Sequence, residues 1–342
     1  MKAYSVVMAL TSLLVIANFA PIYAFRDGVK IEADGKPIHD DIAFLYPFVT
    51  DWNNDGKKDL IVGQPNKAKI RLYLNYGTDS EPQFKDFAYL SADGLEISLF
   101  SGLCVGAYPQ VVDWNNDGKK DLIVLDALGQ IWVYLNIGTD DNPELAKGTL
   151  AEIDGKPIIT TIDQTDDDSK NKPTRDFSSF YISDWDSDGL IDMIVCDERG
   201  EFFYKNIGTE SSPTFKKPLK MELVTGLIKT PFPYVIDWDS DGKKDLLVGY
   251  NSHDGIGVSF LRNIGTTENP QLDRWKSLIL VDIEGKVSLG LKLGSDIQPM
   301  NLSGIAVTDW NNDGKCDILA GGFYSKDDSS RVYGTVWIFL GE

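Results

Sequence analysis

Short apolar runs and acidic turns alternate along the chain, and the same order of runs recurs five times. In each repeat an apolar run leads into an acidic turn, and a second run, apolar at almost every position, leaves it. Short runs of this kind are typical of strands buried on both faces. The predicted first strands are Tyr46–Asp51, Tyr108–Asp113, Phe180–Asp184, Phe232–Asp237 and Ile305–Asp309. The predicted second strands are Asp59–Gly63, Asp121–Leu125, Asp192–Cys196, Asp245–Gly249 and Asp317–Gly321.

A third run, rich in aromatic and branched residues, predicts a third strand in every repeat. These strands are Ile70–Asn75, Ile131–Asn136, Phe202–Asn206, Val258–Asn263 and Val336–Leu340. In four repeats the run ends in Asn-x-Gly-Thr with a proline a few residues later, which predicts a fixed turn. A fourth strand is expected after each proline, beginning near Phe84, Leu145, Phe215 and Leu272.

The two ends of the chain predict that the repeats close into a ring. The fifth repeat stops at Glu342, before a fourth strand, whereas Phe25–Ile38 resembles Leu145–Ile158 and ends in the same Asp-Gly-Lys-Pro-Ile. Pairing the N-terminal strand with the last three strands would complete the fifth unit and leave no exposed sheet edge. We therefore expect residues 25–342 to form one all-β domain of five four-stranded units.

Residues 1–24 predict a signal peptide. Lys2 precedes an apolar run from Val6 to Ala20, and a small residue, Ala24, follows Ile22-Tyr23 at a suitable cleavage position. The alternative to a cleaved signal peptide is an uncleaved membrane anchor, but the apolar run is short for a membrane span. We expect a protein that is secreted, periplasmic or at the cell surface after cleavage near Ala24.

Charge and cysteine content narrow the classes of partner. The formal net charge of −19 argues against nucleic acid and against anionic membranes, so contact with a membrane would be peripheral at most. Three cysteines cannot all pair within one chain, so a disulfide framework is not expected. A monomer is expected.

Most of the acidity lies in the five turns, whose spacing predicts calcium binding. Each turn carries Asp or Asn at positions 1, 3, 5 and 9 and glycine at position 6, as in Asp51-Trp52-Asn53-Asn54-Asp55-Gly56-Lys57-Lys58-Asp59. Calcium takes six to eight oxygen ligands in flexible geometry, and alternate positions of a tight loop supply them. An EF-hand is excluded, because position 12 carries valine or alanine instead of glutamate. A plain Asn-Asp-Gly turn is the alternative, but its recurrence in five copies favours calcium.

The turn, taken with Asn-Ile-Gly-Thr, resembles the FG-GAP and VCBS repeats of integrin-alpha-like β-propellers. This resemblance implies a five-bladed β-propeller, closed as described, with up to five structural Ca²⁺ sites. Five units rather than the seven of integrins mean that integrin partners do not carry over. The implied ligands, with position 7 contributing its carbonyl, are Asp51, Asn53, Asp55, Lys57 and Asp59; Asp113, Asn115, Asp117, Lys119 and Asp121; Asp184, Asp186, Asp188, Leu190 and Asp192; Asp237, Asp239, Asp241, Lys243 and Asp245; and Asp309, Asn311, Asp313, Lys315 and Asp317.

A partner is expected on the face opposite the acidic turns, where the connections vary in length. Tyr46, Tyr108 and Phe232 begin first strands at equivalent positions and are expected to surround the mouth of a central channel. Together with Tyr181, and with His253 and Asp254 nearby, they form the predicted ligand site. The alternative is that the aromatic side chains fill the channel. The tryptophan at position 2 of each turn is expected to pack between blades.

These observations favour a non-catalytic binding or adhesion module for a glycan or a surface protein. The alternative is a polysaccharide-active enzyme, a glycoside hydrolase or lyase on a propeller scaffold. A glycosidase needs two carboxylates flanking one bond. Most regularly spaced aspartates are assigned to calcium, and only two histidines are present, so no catalytic residues are predicted. A structural subunit of an envelope assembly is a third possibility.

Overall fold

The computed structural model describes residues 25–342 except 27, 42–43, 66–67, 101–105, 154, 161–177, 198–199, 222–227, 253–254, 274–275, 282–286, 290–300 and 326–331. The predicted signal peptide and the candidate ligand residues His253 and Asp254 lie outside the described residues. The part of the chain that is described is built from strands, and it contains no helix that could span a bilayer.

Twenty-eight strands make up the described fold. In chain order they are β1 (Val29–Lys30), β2 (Glu32–Ala33), β3 (Lys36–Pro37), β4 (His39–Asp40), β5 (Tyr46–Thr50), β6 (Asp59–Gly63), β7 (Ile70–Tyr73), β8 (Ala88–Tyr89), β9 (Ser91–Ala92), β10 (Leu95–Glu96), β11 (Tyr108–Val112), β12 (Asp121–Leu125), β13 (Ile131–Tyr134), β14 (Thr149–Leu150), β15 (Glu152–Ile153), β16 (Lys156–Pro157), β17 (Ser179–Ser183), β18 (Asp192–Asp197), β19 (Gly200–Tyr204), β20 (Leu219–Met221), β21 (Ile228–Ile236), β22 (Asp245–Ser252), β23 (Gly255–Leu261), β24 (Lys276–Val281), β25 (Val287–Leu289), β26 (Asn301–Thr308), β27 (Asp317–Ser325) and β28 (Val332–Phe339).

Five antiparallel sheets form the five blades of a β-propeller, which confirms the predicted fold. Blade 1 is β5-β6-β7-β8, blade 2 is β11-β12-β13-β14, blade 3 is β17-β18-β19-β20, blade 4 is β21-β22-β23-β24-β25 and blade 5 is β26-β27-β28-β1. The first strand of each blade contacts the first strand of the next, and β26 contacts β5. The second strands are buried at every position in blades 1 to 3, as their continuous apolar runs predict.

The N-terminal strand completes blade 5, so the predicted closure of the ring is also confirmed. Val29 and Lys30 of β1 lie opposite Ile338 and Trp337 of β28. Beyond β1, the Ile31 N–H donates to the Val336 carbonyl at 2.9 Å. The edge of β28 is therefore covered by the start of the same chain.

The fourth strands begin later than expected. Phe84, Leu145, Phe215 and Leu272 each form only an isolated bridge, and regular pairing resumes at Ala88, Thr149, Leu219 and Lys276. The physical reason is that each bridging residue closes the Asn-x-Gly-Thr turn. The turn asparagine bonds the backbone on both sides: Asn75 Oδ1 accepts from the N–H groups of Gly77 at 2.8 Å and of Gln83 at 3.0 Å.

Two kinds of contact join neighbouring blades. The loop tryptophans are buried as expected, and Trp114 of blade 2 packs 5.9 Å from Phe215 of blade 3, measured between ring centroids. Asp-Gly hairpins, which the sequence did not single out as separate elements, form the second kind. In β2–β3 the turn residues Asp34 and Gly35 have φ of 49° and 69°, typical of a type I′ turn. The Asp34 N–H donates to the carbonyl of Phe84 in the next blade at 3.0 Å.

Blades 4 and 5 are taller than the others. Their second strands, β22 and β27, have 8 and 9 residues, against 5 in β6 and β12. All of these strands begin at position 9 of an acidic turn, so the additional residues extend away from the turns. The face opposite the acidic turns is consequently uneven.

Candidate functional site

The five acidic turns have the same backbone conformation and lie at the same end of their blades. Each joins the first strand to the second, as in blade 1, where β5 ends at Thr50 and β6 begins at Asp59. Positions 4 and 6 are in the left-handed region throughout, with φ of 58° at Asn54 and 81° at Gly56 in blade 1. Glycine suits position 6 because it adopts positive φ at little cost.

The aspartate at position 1 curls each turn around its own carboxylate. In blade 1, Asp51 Oδ1 accepts the N–H of Asp55 at 3.0 Å and Oδ2 accepts the N–H of Gly56 at 2.8 Å. The other four turns repeat both hydrogen bonds, with distances between 2.8 and 3.2 Å. A carboxylate oxygen accepts more than one partner, so these bonds leave capacity for a cation.

The aspartate at position 9 anchors the turn to the blade. Asp59 is fully buried; its Oδ2 accepts the Trp52 N–H at 2.9 Å and its Oδ1 accepts the Asn75 N–H at 2.8 Å. Burial raises the pKa of the Asp59 carboxyl to about 6, and the two backbone donors oppose that rise. Equivalent bonds form at Asp121, Asp192, Asp245 and Asp317. The sequence predicted only a metal ligand at this position, whereas the structure also makes it a backbone anchor.

Position 3 supplies the observation that bears on a metal ion. Oδ1 of Asn53, Asp186 and Asp239 is buried and has no hydrogen-bond partner within the described residues. One carboxylate oxygen from each of Asp184, Asp186 and Asp188 lies within 4.8 Å of the others, and Asp237, Asp239 and Asp245 form a second such group. Unpartnered buried oxygens beside converging carboxylates form the donor set that calcium prefers, so these residues fit a calcium ion.

In blades 3 and 4, whose acidic turns are turns 3 and 4, a basic side chain from the end of the third strand reaches the turn, which the spacing of the acidic residues does not predict. Lys205 contacts Asp186 and lies 2.8 Å from Asp188 Oδ2. In turn 4, the Arg262 guanidinium lies 2.6 Å from Asp239 and 2.9 Å from Asp241. Lys205 directly precedes Asn206, and Arg262 directly precedes Asn263. These two asparagines donate their N–H groups to the position-9 carboxylates. The other three repeats carry leucine in place of the basic residue, at Leu74, Leu135 and Leu340, and asparagine at position 3. The sequence does contain a signal for these contacts: aspartate at position 3 occurs in the two repeats that carry Lys or Arg at the end of the third strand.

The predicted ligand residues on the opposite face are largely enclosed. Tyr46, Tyr108 and Phe232 are 3%, 6% and 2% exposed and belong to one apolar cluster. The rings of Tyr46 and Tyr108 pack at 5.0 Å between centroids. Tyr181 packs against the Tyr234 ring, at 4.5 Å between centroids, in the contact between blades 3 and 4. In this arrangement the aromatic side chains fill the centre and leave little surface for a ligand.

Sequence similarity between this chain and known proteins is partial. No protein family profile matches the chain. A stretch of 153 residues is 26% identical to the T-cell immunomodulatory protein homolog of Plasmodium yoelii yoelii. That stretch covers 44% of this chain and 20% of the relative, so the match spans about a fifth of the length of that protein.

Two solved structures resemble the chain over its length. The α-L-arabinofuranosidase PaAbf62A from Podospora anserina, in complex with cellotriose, is 12% identical with a TM-score of 0.51, covering 94% of this chain and 96% of its own. A GH62 hydrolase in complex with xylotriose is 11% identical with a TM-score of 0.50, covering 93% and 97%. The shared feature is the propeller. At these identities the likeness extends to the fold alone.

Proposed function

We propose that this chain is a secreted, calcium-binding β-propeller of the FG-GAP/VCBS type that binds a glycan without cleaving it. The observation that carries the proposal is the division of the molecule into two unlike faces. One face bears five turns of equal geometry, and the other bears all the variation in strand length. Constant turns suit a scaffold, whereas variable surface on a rigid scaffold suits recognition.

Calcium would be held by the side chains at positions 1, 3, 5 and 9 with the carbonyl of position 7. Bound there, the ion supplies positive charge that joins the two strands flanking each turn. The unpartnered oxygens of Asn53, Asp186 and Asp239 support this assignment. Because calcium would bind the folded chain alone, it would raise the free energy of unfolding by about 1.4 kcal/mol per site at ten times its dissociation constant.

Saccharide is the favoured ligand class. The two solved structures described above were obtained with an oligosaccharide, cellotriose in one and xylotriose in the other. The acidic surface disfavours nucleic acid and anionic lipid as partners. The enclosed aromatic rings argue against hydrolysis at the centre of the ring, since a glycosidase needs room for a sugar between two carboxylates.

Binding and turnover are separated by one experiment. The protein, in millimolar calcium, is incubated with a panel of immobilised neutral and acidic polysaccharides, and both retained protein and released sugar are measured in the same wells. Retention without new chain ends is the expected result. Released product would make the protein an enzyme, and neither retention nor product would favour a surface protein as the ligand.

A further inference from the structure

Blade 1 departs from the other blades at one position of its third strand. Arg71 lies opposite Val62 in the sheet register, at the place taken by Trp132, Phe202, Ser259 and Trp337 in the other blades. Arg71 is nevertheless buried, with 8% of its surface exposed. A buried charge in a row of otherwise uncharged residues costs stability unless it is paired, so departures of this kind concentrate at functional sites.

Arg71 is paired by the segment that closes the ring. Its guanidinium lies 2.8 Å from Asp40 Oδ2 and donates to the His39 carbonyl at 2.9 Å. Asp40 Oδ2 also accepts a hydrogen bond from Gln64 Nε2 at 2.5 Å. The guanidinium carbon sits 4.5 Å above the Phe87 ring. The closing segment and blade 1 are thus joined through a polar cluster as well as through the apolar packing of Ile31 and Ile38.

A cavity of about 500 Å³ opens beside this cluster, within the roughly 300–1,000 Å³ typical of small-molecule sites. Aromatic side chains Tyr73 and Phe87 line it, together with Asp41 and Asp86. It borders the end of β6 that is remote from the acidic turn, since Gln64 directly follows that strand. It is therefore separate from the candidate calcium turn of the same blade.

The corresponding place in blade 2 is packed with apolar groups. Ile38 and Ile97 make the same hairpin hydrogen bond, to Ile31 and Leu90, so Asp40 corresponds to Leu99. Leu99 and Trp132 pack against one apolar cluster, and Trp132 Nε1 donates to Asp126 Oδ2 at 3.0 Å. The polar cavity of blade 1 thus arises from three differences between the repeats: Asp40 for Leu99, Gln64 for Asp126 and Arg71 for Trp132.

Two buried polar atoms in the lining lack partners within the described residues. Gln64 is 2% exposed and its Oε1, an acceptor, is unpartnered; Nε of Arg71, a donor, is also unpartnered. Unpaired groups of opposite type favour a ligand, or a water between ligand and protein, that both donates and accepts hydrogen bonds. Hydroxyl groups do both.

The charge of the lining selects among hydroxyl-bearing ligands. Four carboxylates, those of Asp34, Asp40, Asp41 and Asp86, outnumber the two cations Lys36 and Arg71. Excess negative charge disfavours an acidic sugar, while carboxylates accept strong hydrogen bonds from sugar hydroxyls. We propose that this cavity, bounded by the closing segment and blade 1, binds the terminal residue of a neutral glycan. The inference rests on the proposed glycan binding and locates it.

Single substitutions at the rim test the site. Xylose, arabinose, glucose and N-acetylglucosamine serve as neutral probes and sialic acid as the acidic probe, with binding followed by saturation-transfer NMR and titration calorimetry in millimolar calcium. Asp41→Asn and Phe87→Ala are expected to weaken binding of the neutral sugar by about tenfold, as expected for loss of a charged hydrogen bond or an aromatic contact. Asp93→Asn is the control for loss of one carboxylate outside the cavity. Asp93 lies in the β9–β10 hairpin, which is equivalent to β2–β3, and this variant should bind as the wild type does.

A triple variant tests the cavity itself. Asp40→Leu with Gln64→Asp and Arg71→Trp places in blade 1 the residues that fill the same place in blade 2. It should keep the wild-type far-UV circular dichroism and cooperative thermal unfolding, and lose the sugar signal. If it does not fold, the rim variants decide. Unchanged sugar binding in a folded triple variant would overturn the cavity and leave glycan binding intact. Preference for sialic acid would also overturn the cavity, and failure of the wild type to bind any neutral sugar would overturn both proposals.

Discussion

The aspartate at position 9 of each turn anchors the backbone of its blade, in addition to the calcium ligation proposed for it. The sequence pattern predicts only the ligation. Asp121 is fully buried and holds the backbone N–H groups of Trp114 and Asn136 at 2.9 and 2.7 Å. Asp117, at position 5, is exposed, and its carboxylate contacts groups of its own turn: the Lys119 N–H and ammonium and the Asn115 side-chain amide. The spacing that predicts calcium treats the two residues alike, because a side-chain type alone does not reveal which backbone groups it will meet.

Alanine substitutions separate these tasks. Asp121→Ala leaves two buried N–H groups without acceptors, so in excess chelator it should lower the free energy of unfolding by about 2–5 kcal/mol. Asp117→Ala should be close to wild type in chelator and should differ only when calcium is added. Urea unfolding at neutral pH, with and without calcium, measures both. Equal loss for the two variants in chelator would contradict the anchoring role of position 9.

The basic residues of turns 3 and 4 give a reciprocal test. Lys205→Leu removes the ammonium that contacts Asp186 and Asp188, and so leaves more negative charge for calcium to neutralise. We expect a lower melting temperature in chelator and tighter calcium binding at turn 3. Leu74→Lys, which adds a cation beside turn 1, should weaken calcium binding there. Titration calorimetry reports the affinities, and a change of the same sign in both variants would argue against charge balance as the cause.

At the scale of elements, the hairpin between the third and fourth strands shows where local signals are sufficient. Asn136 Oδ1 accepts the N–H of Gly138 at 3.0 Å and of Glu144 at 3.1 Å, which fixes the turn that Asn-x-Gly-Thr predicts. The next strand nonetheless begins at Thr149, four residues after the predicted start near Leu145. Leu145 is apolar and buried because it closes the turn, and burial alone does not distinguish a closing residue from a strand residue.

Gly138 is expected to be the least replaceable residue of that turn. A Cβ atom there would lie 2.5 Å from the Asn142 carbonyl oxygen and 2.9 Å from the Glu144 nitrogen, so the backbone would have to move. Gly138→Ala should lower the free energy of unfolding by about 1–3 kcal/mol. The neighbouring Ile137→Ala, at a side chain that is 61% exposed, should stay within about 0.5 kcal/mol of wild type. Thermal or urea unfolding measures both, and a neutral Gly138→Ala would show that the turn can relax.

For the whole molecule, ring closure depends on the first described residues. The Arg26 N–H donates to the Leu340 carbonyl at 2.8 Å, and the Thr335 hydroxyl donates to the Ile38 carbonyl at 2.8 Å. These bonds join positions about 300 residues apart. Without them β28 would present an unpaired edge, which is a template for association with other chains.

Removal of residues 25–41 should therefore open the propeller. We expect self-association in size-exclusion chromatography and a lower melting temperature, because β28 loses its neighbour in the sheet. A synthetic peptide of residues 25–41, added in trans, should restore the monomer and part of the melting temperature, whereas a scrambled peptide should not. A truncated chain that remains monomeric with an unchanged melt would show that closure contributes little.

The sequence by itself determined the repeat, the order of strands in each blade, the position of every acidic turn and the partner of β28. These features follow from local spacing, apolar runs and similarity between segments, which tertiary contacts only reinforce. The tertiary structure alone decided that Tyr46 and Tyr108 pack against each other at the centre, because that depends on how closely five blades approach. It also decided that Arg71 meets Asp40, since the two lie in different blades at the seam of the ring. No local pattern distinguishes an arginine that will be buried against a carboxylate from one that will face water.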